Sequence, residues 1–281
     1  MISTSALTDS TNADADDIFS LYPFLNETQN ELFLPNPQTL APFFDKLHDL
    51  EVKQNNQVHV VHIGDSHIQA DFFTGKVREL FSEDYRFPMT SRGFTFPYRA
   101  AKTNNPPNYR VSYTGEWVGK RSVKRREFSQ WGLSGINAIT YSENSTFTIN
   151  PNVNDGEYEI RKVKLFYPVF DQQSYEVELV LEEGNTLNSY VIGDGFMEFN
   201  LAKSQSTVSF KLNKTEEGQV HFIVQGVMLN SDRPGLIYSA SGVNSAEITS
   251  YFRCQDFYTQ LAHLNPDLIV ISLGTNDAFV P

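Results

Sequence analysis

Cysteine is almost absent from this chain of 281 residues, because Cys254 is the only one. One cysteine forms no disulfide within the chain and supplies too few thiolates for a cysteine-based zinc site. No apolar run approaches the roughly 20 residues of a membrane-spanning helix, so we expect no membrane span. Basic residues are scarce as well: 22 Lys plus Arg face 34 Asp plus Glu, and the net charge of -12 argues against nucleic acid as a partner.

The apolar content, by contrast, is that of a folded protein. Hydrophobic residues make up 40% of the chain and aromatic residues 13%, which is too much for a disordered sequence. Residues 1–35 are acidic and are expected to form a flexible segment. They contain no basic stretch followed by an apolar one, so no secretory signal peptide is visible and the cellular location stays open.

Helical and strand patterns alternate at both ends of the remaining chain. An apolar repeat over 40–50 predicts a helix, the β-branched run at 58–63 predicts a buried strand, and a second helical repeat covers 71–81. Towards the C-terminal end, residues 248–261 repeat with a helical period, and 268–273 form a second strand of the buried type.

The stretch between these ends has the short alternating runs of antiparallel strands. Turn signals separate the candidate strands, which are 146–150, 158–167, 175–181, 208–213 and 220–229. We therefore predict an α/β fold in which an open, mostly parallel sheet is interrupted in sequence by an antiparallel β-sandwich. The predicted boundaries are residues 36–112 for the first part of the α/β domain, 113–232 for the inserted module and 233–281 for the second part.

Both buried strands end in a polar, turn-forming tetrapeptide. Gly64-Asp65-Ser66-His67 follows the first strand, and Gly274-Thr275-Asn276-Asp277 follows the second. Ligands of open α/β sheets bind beyond the carboxyl ends of the strands, so these segments predict the functional site. A serine in such a turn lies near free backbone N–H groups, which makes Ser66 a candidate nucleophile. The alternative is that Ser66 only caps the helix that follows.

These tetrapeptides and the segment Gly242-Val243-Asn244-Ser245-Ala246 between them resemble the three successive blocks I, II and III of SGNH (GDSL-type) esterases. The stretches GDSHIQAD, SRGFTFPYR and PGLIYSASGVNSA, with the β-rich block, are similar to the peptidoglycan O-acetylesterase branch, whose members carry a carbohydrate-binding-like β module between blocks I and II. The resemblance covers about residues 37–281. It implies a three-layer, flavodoxin-like α/β fold with a jelly-roll-like insertion, an acetylated glycan as substrate, no cofactor, and a place in the periplasm or cell envelope.

The same resemblance implies roles for single residues. Ser66 is the nucleophile, and its own backbone N–H, the side-chain amide of Asn276 and a backbone N–H of the second block form an oxyanion hole. Ser245 stands where the family has a glycine, but a main-chain N–H can come from a serine. We assign this donor to Ser245, with the N–H of Gly242 as the alternative.

Local sequence around these residues adds three expectations. Asn244 and Glu247 resemble a capping box, which would put Ser245 at the first helical position with its N–H free. Asp65 is expected to bond backbone N–H groups of the nucleophile turn, and Asp277 is expected to have a structural role in its loop.

One part of the family pattern is absent, namely the Asp-x-x-His block that supplies the general base. No histidine within the chain replaces it, because His59 and His62 point to opposite faces of their strand and His67 should diverge from Ser66. We expect the chain to be a fragment whose missing segment was truncated, cleaved off or encoded on another chain. A metal site is not expected, since the strand and turn that carry the histidines and Asp65 would have to fold back on each other.

Other hypotheses stay open on the sequence alone. The protein could be a non-catalytic glycan-binding protein with a degenerate α/β domain, or an acetyl-transfer or assembly factor. The only basic run, residues 120–126, is either a solvated loop or a contact for an anionic glycan. Trp117 and Trp131 are expected in the core rather than stacked on sugars, and Cys254 is expected to be a small core residue on a helix.

Overall fold

The computed structural model describes residues 22–24, 32–84, 86–153, 158–169 and 171–279. The flexible segment predicted for residues 1–35 lies mostly outside these ranges. Five α-helices are present in the described part: α1 (Ala41–Lys53), α2 (Ser66–Ala70), α3 (Phe72–Glu83), α4 (Ile248–Tyr251) and α5 (Phe257–Leu264). Short 3₁₀ turns cover Pro37–Leu40 and Asp277–Phe279. Within the described residues, no helix is long and apolar enough to cross a membrane.

The strands fall into one parallel sheet and three antiparallel sheets. They are β1 (Gln57–Gly64), β2 (Met89–Ser91), β3 (Gly93–Thr95), β4 (Arg110–Thr114), β5 (Trp117–Arg121), β6 (Ile136–Thr140), β7 (Ser145–Asn150), β8 (Ile160–Phe166), β9 (Glu176–Val180), β10 (Thr186–Leu187), β11 (Val191–Gly193), β12 (Phe196–Gln205), β13 (Val208–Asn213), β14 (Phe222–Val224), β15 (Gly226–Asn230), β16 (Gly235–Gly242) and β17 (Leu268–Ser272). The parallel sheet has the order β17-β1-β16-β2, and its members come from both sides of the β-rich stretch. The mixed α/β architecture with a β-rich interruption is therefore confirmed.

Register in the parallel sheet brings the two ends of the chain together. Gly64 at the end of β1 pairs with Gly242 of β16 on one side and with Ser272 of β17 on the other. β1 is buried from Val58 to Gly64, because it has a strand on each side and helical cover. The tetrapeptides after β1 and β17 and the segment after β16 therefore leave the sheet at the same edge.

The antiparallel strands form sheets of order β10-β9-β13-β7-β4, β11-β12-β8-β15-β3 and β14-β6-β5. Their alternating pattern puts every second side chain inward, and Phe147 and Phe210 stack there at 4.6 Å between ring centroids. Trp117 and Trp131 are 3% and 2% exposed, so their prediction as core residues is confirmed. All five predicted strands are present, although 220–229 is divided into β14 and β15 at Gln225.

The prediction of one helix over 248–261 is wrong. Helices α4 and α5 are separated by turns, and Cys254 lies in this connection rather than on a helix. The residue is nevertheless in the core, with 6% exposure, and burial raises the pKa of its thiol to about 12. A thiol of that pKa is protonated at neutral pH and is a poor nucleophile.

Strand β17 differs from the expectation in its burial. It was predicted as a buried strand, but Ile269 is 44% and Ile271 66% exposed. The physical reason is that β1 is the only strand paired with β17 in the described part of the chain. The hydrophobic sequence of the strand is that of an interior position, whereas its place in this sheet is an edge.

Candidate active site

The turn after β1 presents Ser66 at the start of α2. Asp65, which is 2% exposed, is the N-cap, and its Oδ1 accepts a hydrogen bond of 3.0 Å from the backbone N–H of His67. The capping role considered for Ser66 therefore belongs to Asp65. Within the described residues, no hydrogen bond engages the Ser66 hydroxyl, and the residue is half-buried. A hydroxyl that caps nothing and stays accessible is available for attack on a carbonyl.

Asn276 reaches the same turn from the end of β17. Its Nδ2 donates to the carbonyl oxygen of Ala246 at 2.9 Å and to Oδ2 of Asp65 at 3.3 Å. Asp65 therefore touches both the helix that begins with Ser66 and the amide of Asn276. The amide has two hydrogens, so a substrate oxygen would have to replace the longer of these two contacts.

Asp277, the next residue, holds the adjacent helix. Its carboxylate accepts hydrogen bonds of 3.0 and 3.3 Å from the backbone N–H of Ile248, the first residue of α4. A carboxylate at a helix N-terminus satisfies an otherwise unused donor, and it interacts favourably with the helix dipole.

The segment after β16 offers one open backbone donor. Val243 N–H binds the carbonyl of Gly64 at 3.3 Å, Asn244 N–H binds Oε1 of Gln69 at 2.7 Å, and Ala246 N–H binds the carbonyl of Val243 at 3.1 Å. Ser245 N–H donates no hydrogen bond to the described residues, and Ser245 is an exposed residue. It is therefore the available donor of this segment.

The local conformation of Ser245 differs from the expectation. It has φ 67, and α4 begins only at Ile248, with Glu247 as N-cap in a capping box with Ser250. The predicted box of Asn244 and Glu247, with Ser245 as first helical residue, is wrong. A positive φ is a conformation that glycine adopts readily and that serine adopts at some cost.

Gly242, the alternative donor, lies where two backbone segments come close together. A Cβ on this residue would lie 2.4 Å from the backbone nitrogen of Gln69 and 2.5 Å from the carbonyl oxygen of Asp65. Its own carbonyl accepts a 2.7 Å hydrogen bond from the hydroxyl of Tyr98. The glycine thus lets the end of β16 approach the backbone of α2 closely.

Gln69 was missed by the sequence analysis. It is 1% exposed, and besides accepting from Asn244 it donates from Nε2 to the carbonyl of Asn104 at 2.9 Å and to the hydroxyl of Thr103 at 3.2 Å. One side chain of α2 therefore ties together three segments around Ser66. The available signal was a long polar side chain next to the buried Ile68 on so short a helix.

A cavity of about 370 Å³ opens beside Ser66. Its lining includes the aromatic rings of Phe72 and Phe73, which are 73% and 61% exposed, and the polar Asn104 and Asn244. Apolar surface with a few polar groups suits a ligand that has both apolar and polar faces. Asn276 is not among the lining residues and meets the turn through Asp65 instead.

The histidines near the sheet are engaged elsewhere. His59 Nδ1 lies 2.8 Å from the carbonyl oxygen of Leu264, and burial lowers the pKa of this histidine to about 4. His62 Nε2 lies 2.6 Å from the hydroxyl of Ser272. His67 Nδ1 lies 2.9 Å from Oδ1 of Asp65. Among the described residues, no histidine is hydrogen-bonded to Ser66.

Behind the site, a buried carboxylate supports the connection between α2 and α3. Asp71 is hydrogen-bonded to Arg78 and Arg92, and Arg92 also donates to Asn108 at 2.8 Å. Burial alone would raise the pKa of Asp71, but the two guanidinium groups outweigh it and lower the pKa to about 2. The carboxylate is therefore ionised at neutral pH and fixes the start of α3.

Comparisons with known proteins bear on the fold. No family model and no curated protein matches the chain. One similar solved structure is "Peptidoglycan O-acetylesterase in action, 5 min", with a TM-score of 0.63 and 23% identity over 85% of this chain and 62% of that chain. A second is a CBM32-1 from a family 31 glycoside hydrolase of Clostridium perfringens, with a TM-score of 0.30 and 14% identity over 48% of this chain and 100% of that chain. A third is a chitosan-binding module 1 from Paenibacillus sp. IK-5, with a TM-score of 0.30 and 12% identity over 44% of this chain and 95% of that chain.

Only the first of these structures is similar enough to show a common fold. The chain spans less than two thirds of the length of that structure's chain. Over that span, it shares the fold of a structure described as a peptidoglycan O-acetylesterase.

Proposed function

We propose that the protein is an SGNH-type carbohydrate esterase that removes O-acetyl groups from a peptidoglycan-like glycan. The observation that carries this proposal is that the Ser66 hydroxyl makes no hydrogen bond with the described residues, while the neighbouring Asp65 accepts from the amide of Asn276. The segment of Ser245 is held to the helix of Ser66 through Gln69. The shared fold supports it. The substrate class is taken from what that similar structure is described as acting on.

The reaction proceeds in two steps. Ser66 Oγ attacks the acetyl carbonyl while a base removes its proton, and the sugar oxygen leaves with a proton to give an acetyl-enzyme. Water then hydrolyses the acetyl-enzyme to acetate. In both steps, negative charge develops on the former carbonyl oxygen, which the N–H groups of Ser66 and Ser245 and the amide of Asn276 stabilise. One such donor is worth about 3 kcal/mol.

We place the general base outside these 281 residues, on a further segment or on another chain. The exposed side chains of β17 support this assignment. In the described part of the chain β17 pairs with β1 alone, and it borders an apolar groove of about 410 Å³. Ile271, Phe252 and Tyr258 line the groove and are 66%, 79% and 78% exposed. Such a surface fits an additional strand and helix of an α/β sheet, and covering it would also complete the three-layer fold.

We further propose that residues 113–232 are an inserted module between two parts of the esterase domain, 36–112 and 233–281. Its strands lie between β2 and β16 of the parallel sheet in sequence and pair in antiparallel sheets, to which β3 and the first residues of β4, before residue 113, also belong. Glycan binding by this module would fit both the esterase and a purely glycan-binding protein, so only catalysis at Ser66 separates the two.

The test is labelling of the protein, produced from its complete coding sequence, with a fluorophosphonate probe, together with acetate release from O-acetylated peptidoglycan. We expect both in the wild type, and neither in Ser66→Ala. Ser204→Ala, an exposed serine of β12, is the matched control and should behave as wild type. Undiminished acetate release by Ser66→Ala rejects the mechanism. Glycan binding without labelling would favour the non-catalytic alternative, and acetyl donor consumption without net acetate release would favour acetyl transfer.

A further inference from the structure

A strongly basic turn lies close to the candidate active site. Residues 120–127, here called the basic turn, hold five Lys or Arg side chains and one acid, Glu127, in a chain of net charge -12. The turn includes the last two residues of β5 and is held by hydrogen bonds. Arg121 N–H donates to Oε2 of Glu127 at 2.7 Å, and Ser122 N–H donates to the carbonyl of Gly135 at 2.9 Å.

Arg253 fastens the basic turn to the connection that follows α4. Its guanidinium donates to the carbonyl oxygens of Ser122 and Glu127, the latter at 2.6 Å, and lies 4.8 Å from the centroid of the Trp131 ring. Three fixed contacts leave this guanidinium little freedom. The charged side chains of the turn are therefore presented from a rigid base.

The basic turn adjoins the oxyanion segment through Glu247. Arg125 Nη2 lies 3.9 Å from Oε2 of Glu247, which caps α4 two residues after Ser245. Ile248, the next residue, binds Asp277 beside Asn276. A cleft of about 380 Å³ lies here, lined among others by Arg125, Glu247 and Arg253.

Positive charge in this cleft is only partly compensated. Lys124 pairs with Glu127 at 2.8 Å, but Arg125 is 81% exposed and its contact with Glu247 is long. Arg126 is exposed and makes no ion pair with the described residues. Arginine forks bind carboxylates in a bidentate manner, and a local basic surface on an acidic protein attracts an anionic polymer to one place.

We propose that the basic turn and its cleft bind carboxylate groups of the glycan polymer while an acetyl group occupies the site at Ser66. This inference rests on the proposed function, and it makes the substrate an anionic, peptide-bearing glycan rather than a neutral one. A neutral polysaccharide would leave Arg125 with only its long contact to Glu247 and would offer no carboxylate to Arg126.

The experiment measures binding to insoluble peptidoglycan sacculi by co-sedimentation, in the Ser66→Ala background so that turnover plays no part. Sacculi whose carboxylates have been converted to amides provide the neutral form of the same polymer. The test variant is Arg125→Gln with Arg126→Gln. The matched control is Lys203→Gln with Arg233→Gln, which removes the same charge from two exposed sites in or after the β-rich stretch.

We expect amidation to weaken binding of the Ser66→Ala protein by about tenfold, the sum of two exposed ionic contacts. The arginine variant should bind native sacculi about tenfold more weakly and show little further loss on amidated sacculi. The control pair should bind as its parent does. Equal losses on amidation in parent and arginine variant, or an equal loss in the control pair, would overturn the proposal.

Competition separates this site from a general polyanion surface. Single-stranded DNA should compete poorly, and competition as strong as that of soluble peptidoglycan fragments would also overturn the proposal. If amidation weakens binding of the parent but not of the arginine variant, and the wild type is not labelled by the fluorophosphonate, the esterase alone is rejected. If the wild type is labelled but amidation weakens binding of both proteins equally, this binding site alone is rejected.

Discussion

Gln69 offers the sharpest test of the site, because its side chain holds the segment that carries Ser245. Gln69→Ala removes the acceptor for Asn244 N–H and the donor to the Asn104 carbonyl, both beside a side chain that is 1% exposed. Each buried polar group left unpaired costs about 1–3 kcal/mol. We expect the free energy of unfolding to fall by about 3 kcal/mol.

The kinetic effect should exceed what this loss of stability explains. Without Gln69, the backbone around Asn244 is free to turn, and the N–H of Ser245 is no longer held towards the oxyanion. Losing a full oxyanion donor costs about 100-fold to 1,000-fold, so a displaced one should slow acylation by about 10-fold to 100-fold. We expect the loss in kcat, with KM changed by less than about twofold.

The assay compares fluorophosphonate labelling rates and acetyl-ester turnover, at a temperature where urea unfolding shows both variants to be folded. Gln205→Ala is the matched control: this buried glutamine of β12 accepts from Glu182 N–H at 2.8 Å and donates to the Ser204 carbonyl at 3.2 Å. It should lose stability but keep the labelling rate. A folded Gln69→Ala protein that labels at the wild-type rate would refute the reasoning, and so would an equal loss in Gln205→Ala.

Three further perturbations test other parts of the structure. Asp65→Asn would replace the carboxylate that accepts from Nδ2 of Asn276 with an amide. We expect fluorophosphonate labelling to slow by about tenfold while circular dichroism shows that the fold is retained, and an unchanged labelling rate would contradict the role given to this contact. The pKa of His59 is about 4 in the folded chain against 6.5 unfolded, so the stability due to its neutral form is complete above pH 6.5 and falls by about 3 kcal/mol as the pH drops towards 4. Between these pH values, the free energy of unfolding in urea should depend on pH less steeply in His59→Asn than in wild type, by about 1.4 kcal/mol per pH unit. Equal slopes in the two proteins would refute this prediction. Ile271→Asp should change the free energy of unfolding by less than about 0.5 kcal/mol yet abolish association with the polypeptide proposed to supply the general base, whereas Ile192→Asp on β11 should associate normally. Association that survives Ile271→Asp would exclude β17 as the docking edge.

The framework of the site was predictable from the sequence because it depends on local pattern and one rule of topology. The runs at 58–63 and 268–273 are unambiguous strands, and parallel strands of one sheet end at one edge. Ser66 and Asn276 could therefore be brought together although 210 residues separate them. The identity of their shared contact, Asp65, did not follow from that rule.

The contacts that hold the site depended on tertiary packing and were out of reach. Gln69 contacts residues 34 to 175 positions away in sequence, and no local periodicity encodes such partners. The break between α4 and α5 has the same origin: residues 248–261 have a helical period, but Gln255 and Asp256 bond to the β-rich stretch around Trp131 instead of continuing a helix. Tertiary hydrogen bonds overrode the local preference there.

The place of β3 has a consequence for dissecting the molecule. Gly93 to Thr95 precede residue 113 in sequence, yet they pair with Val227 to Leu229 as the outer strand of a five-stranded antiparallel sheet. A polypeptide cut at residue 113 would leave β15 with an unpaired edge, which invites self-association through strand pairing. Isolating the β-rich part as a soluble unit therefore requires a polypeptide that begins before Gly93, or a charged substitution on β15 that prevents strand pairing at its exposed edge.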